Sequence, residues 1–141
     1  MSGPRALHLA AGVLATLRDH AAETAPRECC GLLTGPVDGT APLVIDRAVA
    51  SANLAPDGAT DSFELDTALH LSLQRTERAA GRRVAGLYHS HPVGEAIPSR
   101  RDRAGAYDHT LVWLIIGPDG TVRAWWPEPD GFVEARIEVV S

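Results

Sequence analysis

The segment RVAGLYHS at residues 83–90, running on into His91-Pro92, decides how the chain is read. Val84, Ala85, Leu87 and Tyr88 make it apolar throughout, as in a strand covered on both faces. It then ends in two histidines separated by one serine. On an extended strand, residues i and i+2 point to the same face. His89 and His91 therefore stand side by side where a buried strand runs out. Two neighbouring imidazoles are half of a zinc site, although a plain pair of strand-end histidines would look the same.

Working outward, residues 66–80 read as a helix carrying Leu69 and Leu73 inward, and SFELD (62–66) as a short strand before it. Upstream, residues 43–50 (LVIDRAVA) and 29–35 (CCGLLTG) read as strands, with the turn chemistry of PVDGTAP between them. Residues 10–23 have Val13, Leu14 and Leu17 at helical spacing, after a short strand at 6–8. Downstream, a loop through residue 98 leads to a short helix over 100–107. LVWLIIG, PDG and TVRAWWP then form a hairpin, and GFVEARIEVV alternates as a last strand. The sum is a mixed α/β domain. It has one mostly buried β-sheet flanked by two or three helices, as a single domain over residues 1–141.

Composition bounds the function. The chain has 141 residues, 45% hydrophobic and 22% charged, with a net charge of −5. That is the size and make-up of one globular core. The acidic balance argues against a nucleic-acid partner, which calls for a basic stripe. Arg82 and Arg83 read as solvated strand-start charge, whereas Arg100, Arg101 and Arg103 sit beside the histidine motif and could meet an acidic partner. No apolar run approaches the roughly 20 residues of a membrane span, and the N-terminus makes a poor signal peptide. Cys29 and Cys30 are adjacent, a spacing that strains a mutual disulfide. A reducing cytoplasm fits. They read as buried strand residues rather than a thiol nucleophile.

Ser99 and Asp102 complete the pattern. Ser-x-x-Asp before a short helix is a capping box, with Ser99 as N-cap. A helix N-terminus also holds a carboxylate in a fixed place, so Asp102 can serve as a third metal ligand as well. Three protein ligands with one open position are what a hydrolytic zinc site needs. Four fixed identities at this spacing coincide by chance on the order of once in thousands of such chains.

His89-x-His91-x(7)-Ser99-x-x-Asp102 resembles the motif of the JAMM (MPN-plus) zinc metallopeptidases, small bacterial type. Glu28, before the apolar run Cys29–Leu33, looks like the family's upstream glutamate, and the likeness extends from about residue 6 to about residue 140. The resemblance implies the JAMM/MPN (cytidine-deaminase-like) fold. It implies one zinc ion per chain on His89, His91 and Asp102, with Glu28 as general base and Ser99 as oxyanion donor. It also implies cleavage after the C-terminal Gly-Gly of a ubiquitin-like, sulfur-carrier-type β-grasp protein. Two other readings stay open: a deconjugating enzyme of a bacterial ubiquitin-like antiviral system, and a non-catalytic MPN scaffold. A zinc deaminase is excluded, because His-x-Glu and Pro-Cys-x-x-Cys are both absent. Glu64 and Glu95 read as surface or substrate-contacting carboxylates, and His8, His20, His70 and His109 as ordinary residues. Trp113, Trp125 and Trp126 read as core or edge cover. Oligomeric state is left open by the sequence.

Overall fold

The computed structural model describes residues 6–37, 43–56, 58–106 and 108–141. The expected turn over residues 36–42 falls mostly outside them, as does residue 107 at the expected end of the last helix. In chain order the elements are β1 (Ala6–Ala10), α1 (Ala11–Thr24), β2 (Cys30–Pro36), β3 (Leu43–Ile45) and β4 (Arg47–Ser51). They continue with α2 (Thr67–Ala79), β5 (Arg82–Ser90), α3 (Arg100–Gly105), β6 (Val112–Ile116), β7 (Val122–Glu128) and β8 (Gly131–Val140). The strands form one mixed sheet in the order β3-β1-β8-β7-β6-β5-β2-β4. β5 runs parallel to β6, and β1 runs parallel to both β3 and β8.

Period-two alternation sorts the strand residues onto two faces. Leu33, Tyr88 and Leu114 join Leu7, Leu9, Val13 and Leu17 in the core under α1. Their neighbours Leu32, Leu87 and Trp113 face the other way, where Leu69 and Leu73 of α2 pack. Helices on both faces explain why β2, β5 and β6 read as continuous apolar runs. His89 lies two residues after Leu87, so it emerges on the α2 face.

Two expectations need correction. Residues 43–50 do not form one strand. Asp46 divides them: β3 pairs with β1 at one edge of the sheet, and β4 pairs with β2 at the other. The same stretch of chain thus supplies both edges, and the Asp46 amide donates to the Thr34 carbonyl of β2 across the join. The approach is close enough that a Cβ on Gly35 would lie 1.9 Å from the Val44 carbonyl oxygen. Segment 62–66 is no ladder strand either. Its backbone groups are taken by local partners: Asn53 binds the Ser62 carbonyl and Glu64 amide, Leu54 binds the Glu64 carbonyl, and the Ser51 hydroxyl binds the Asp66 amide. Asp66 then caps α2, accepting from the amides of Ala68 and Leu69.

Arg82 also departs from expectation. Its guanidinium is not simply solvated. It donates to Glu77 Oε1 at 3.1 Å, to both oxygens of Asp46 at 2.6 and 3.2 Å, and to Thr34 Oγ1 at 3.3 Å. The network fastens α2 and the β3–β4 join to the start of β5.

Candidate metal and catalytic site

The parallel strands β5 and β6 end next to each other, and the His91 amide donates to the Ile116 carbonyl at 2.8 Å. The segment after β5 then turns away and α3 begins. Its N-terminus is a complete capping box: Ser99 Oγ accepts from the Asp102 amide at 3.0 Å, and the Ser99 amide donates to Asp102 Oδ2 at 2.9 Å. This fixes a buried carboxylate over the two histidines.

Three side chains converge there. His89 Nε2 and His91 Nε2 are 3.1 Å apart. Asp102 Oδ1 lies 3.2 Å from the first and Oδ2 lies 3.0 Å from the second. Tetrahedral zinc with bonds near 2.0–2.1 Å keeps its donors about 3.3 Å apart, close to these spacings. His91 Nδ1 donates to the Glu95 carbonyl at 2.9 Å, which aims Nε2 at the cluster. His89 is fully buried. Phe63 stacks on it at 4.3 Å between centroids, and Trp113 meets it edge-on at 5.4 Å. The buried Nδ1 of His89 has no hydrogen-bond partner among the described residues.

The electrostatics follow from burial and neighbours. Burial lowers the His89 pKa, favouring the neutral form that binds metals. Burial alone would raise Asp102, but hydrogen bonds from His89 and His91 outweigh it and hold the carboxyl far below its usual range. Glu28 behaves oppositely. It is buried, Oε1 has no hydrogen-bond partner among the described residues, and burial pushes its pKa up to about 7. The charges of His91 and Asp102 both act on it, the first lowering and the second raising its pKa.

His89, His91 and Asp102 thus meet at one point with Ser99 bonded to Asp102, and Glu28 is near enough for the charges of His91 and Asp102 to act on its carboxyl. The other titratable candidates do not join them. His8 pairs with Glu138 at 2.9 Å, His20 with Tyr88 at 2.8 Å and His70 with Gln74 at 3.3 Å. Cys29 and Cys30 are free and buried, and burial pushes the Cys30 thiol up to about 12. The site also uses residues whose part in it the sequence reading did not assign. Glu95 serves through its carbonyl, not its side chain. Trp125 Nε1 donates to the Ala96 carbonyl at 3.0 Å and pins the segment that orients His91. Asn53 and Phe63 support the site from the loop between β4 and α2. No pattern in the sequence flags a carbonyl or a lone loop asparagine.

Beside Asp102 opens a cleft of about 410 Å3. Ser62 to Leu65 form one wall and Arg101 to Ala106 the other, with Leu87, Leu111 and Trp113 as an apolar floor. Of the three converging side chains, Asp102 lines it.

A family model for prokaryotic homologs of the JAB domain matches residues 10–128. The desampylase of Haloferax volcanii is 34% identical over 130 residues, covering 90% of this chain and 88% of that protein. A probable TtuB-protein conjugate cleaving protease of Thermus thermophilus is 34% identical over 119 residues, covering 84% and 74%. Among solved structures, protein DSY2949 from Desulfitobacterium hafniense superposes with a TM-score of 0.84 at 29% identity, covering 96% of this chain and 93% of that one. The JAB1/MPN domain protein AF2198 from Archaeoglobus fulgidus shares the fold, with a TM-score of 0.61 at 20% identity over the whole of both chains.

Proposed function

The chain belongs to the prokaryotic homologs of the JAB domain, a small JAMM/MPN family, and from that premise we propose that it is a zinc-dependent isopeptidase. Its substrate is the bond after the C-terminal Gly-Gly of a ubiquitin-like, sulfur-carrier-type protein. The relatives named for desampylation and for cleaving TtuB conjugates support this substrate class. The observation that carries the reading is the convergence of His89, His91 and Asp102 within 3.2 Å, with an unpaired carboxyl beside it.

Each residue has a part that follows from its contacts. His89, His91 and Asp102 hold the ion. A zinc ion bound there would supply Lewis acidity and make the attacking water more acidic. Glu28 takes a proton from the attacking water and returns it to the departing amine. Ser99 Oγ already accepts from the Asp102 amide, so its own O–H remains to donate to the developing oxyanion. The Gly-Gly tail lies extended in the cleft. The backbone of Phe63 and Leu65, whose even-numbered neighbours bond inward, offers it a strand edge.

The test uses a carrier protein ending in Gly-Gly joined to a lysine, incubated with zinc-loaded protein. Cleavage that chelation stops and added zinc restores is expected. A zinc-loaded protein that leaves every such adduct intact overturns the substrate assignment.

A further inference from the structure

The side-chain amide of Asn53 has every hydrogen-bonding capacity used. Nδ2 donates to the Glu28 carbonyl at 3.0 Å and to the Ser62 carbonyl at 3.1 Å. Oδ1 accepts from the Ala55 and Glu64 amides, each at 3.0 Å. One side chain therefore ties together the turn that bears Glu28, its own loop and the cleft wall that lays Phe63 on His89.

Glu28 needs such support. Its buried Oε1 makes no hydrogen bond among the described residues, so the carboxyl takes its aim from the main chain. Two side chains hold that main chain. Ser90 Oγ accepts from the Cys29 amide at 2.8 Å, and Asn53 holds the Glu28 carbonyl. Misplacing a reacting group by about 1 Å can cost on the order of a hundred-fold in rate.

We propose that Asn53 is a positioning residue that locks the Glu28 backbone and the 62–65 wall into one unit, so that base and substrate tail keep a fixed relation. The proposal rests on Glu28 as the base and the cleft as the tail groove. Asn53→Asp keeps the two accepting contacts but loses both donors. Asn53→Ala loses all four contacts. Ser51→Ala loosens the same loop at the Asp66 amide without touching Glu28.

The experiment compares kcat and KM on the Gly-Gly conjugate, zinc content, and backbone amide exchange for wild type and the three variants. With zinc unchanged, Asn53→Asp lowers kcat about ten- to a hundred-fold and leaves KM within about three-fold. Asn53→Ala lowers kcat similarly and raises KM as well, while Ser51→Ala keeps the wild-type kcat. An Asn53→Asp kcat equal to wild type overturns the proposal, as does an equal loss in Ser51→Ala. If wild type cleaves no conjugate, the functional reading fails separately. Amide exchange then decides: faster exchange at Cys29 and Glu64 in Asn53→Ala upholds the lock, and unchanged exchange overturns it.

Discussion

β5 carries a charged cluster at each end, and the two are built on opposite rules. At its start, Arg82 binds Glu77 and Asp46, and Arg47 adds a contact to Glu77 at 3.4 Å. Two guanidinium charges meet two carboxylates. At its other end, two imidazole nitrogens face each other at 3.1 Å across one carboxylate, and neither His89 Nδ1 nor Glu28 Oε1 has a hydrogen-bond partner among the described residues. Buried polar groups in folded proteins are nearly always paired. The first cluster is closed and serves the fold. The second is left incomplete in the way that a binding site is.

The contrast is open to direct attack. The largest effect is expected from Asp102→Ala. It removes one ligand and the acceptor that both histidines share, so bound zinc falls from about one per chain to near zero. Conjugate cleavage falls to background, and the lost capping contact to the Ser99 amide costs the metal-stripped protein only about 1 kcal/mol. Zinc analysis and calorimetry check this, and retained zinc breaks the assignment of the open end.

The closed end answers in the opposite currency. Arg82→Met strips the buried Glu77 of its main partner in a part-buried pair, and losing that charged hydrogen bond costs about 1–2 kcal/mol. Urea denaturation measures that loss, and the folded fraction still binds zinc one to one. A fall in zinc affinity with no fall in stability would erase the distinction.

A smaller effect is expected from Trp125→Phe, which frees the Ala96 carbonyl and loosens the segment that orients His91. Zinc affinity weakens about ten-fold, the low end for losing an outer support of a ligand. Competition with a chelating dye reads it.

The least is expected from acid titration. At Glu77, burial pushes the pKa upward, but hydrogen bonds from Thr34 and Arg82 outweigh it and bring it below the ordinary value. Asp46 is lowered chiefly by its hydrogen bond to Arg82. A group depressed on folding adds stability that is whole above its unfolded pKa and is lost as pH falls through the folded one. Stability therefore declines below about pH 4.5, the ordinary value for Glu, and Glu77→Gln flattens the decline. Urea midpoints across that range show whether the slope is shared.

Much of this was legible in the sequence where local chemistry and global fold agree. The apolar run of β5, the hairpin β6–β7 and the capping box at Ser99 each carry their own signal, and His89, His91, Ser99 and Asp102 lie on or next to them; Glu28, ahead of β2, carries no such signal and came only with the family resemblance. What escaped was set at long range. LVIDRAVA reads as one strand because nothing local marks Asp46 as the point where the chain changes sheet edge. SFELD has strand composition, but the Asn53 and Ser51 side chains take the hydrogen bonds that a ladder would use. Arg82 reads as surface charge until the fold brings Glu77 and Asp46 to it.

The central claim is that the open end of β5 is a hydrolytic zinc centre with Glu28 as its base. The most direct measurement takes zinc content and cleavage of a Gly-Gly carrier conjugate together, for wild type and Glu28→Gln. The account expects about one zinc per chain in both and cleavage in wild type alone, with at least a hundred-fold loss in the variant. Equal cleavage by both, or a wild type that binds no zinc, would contradict it.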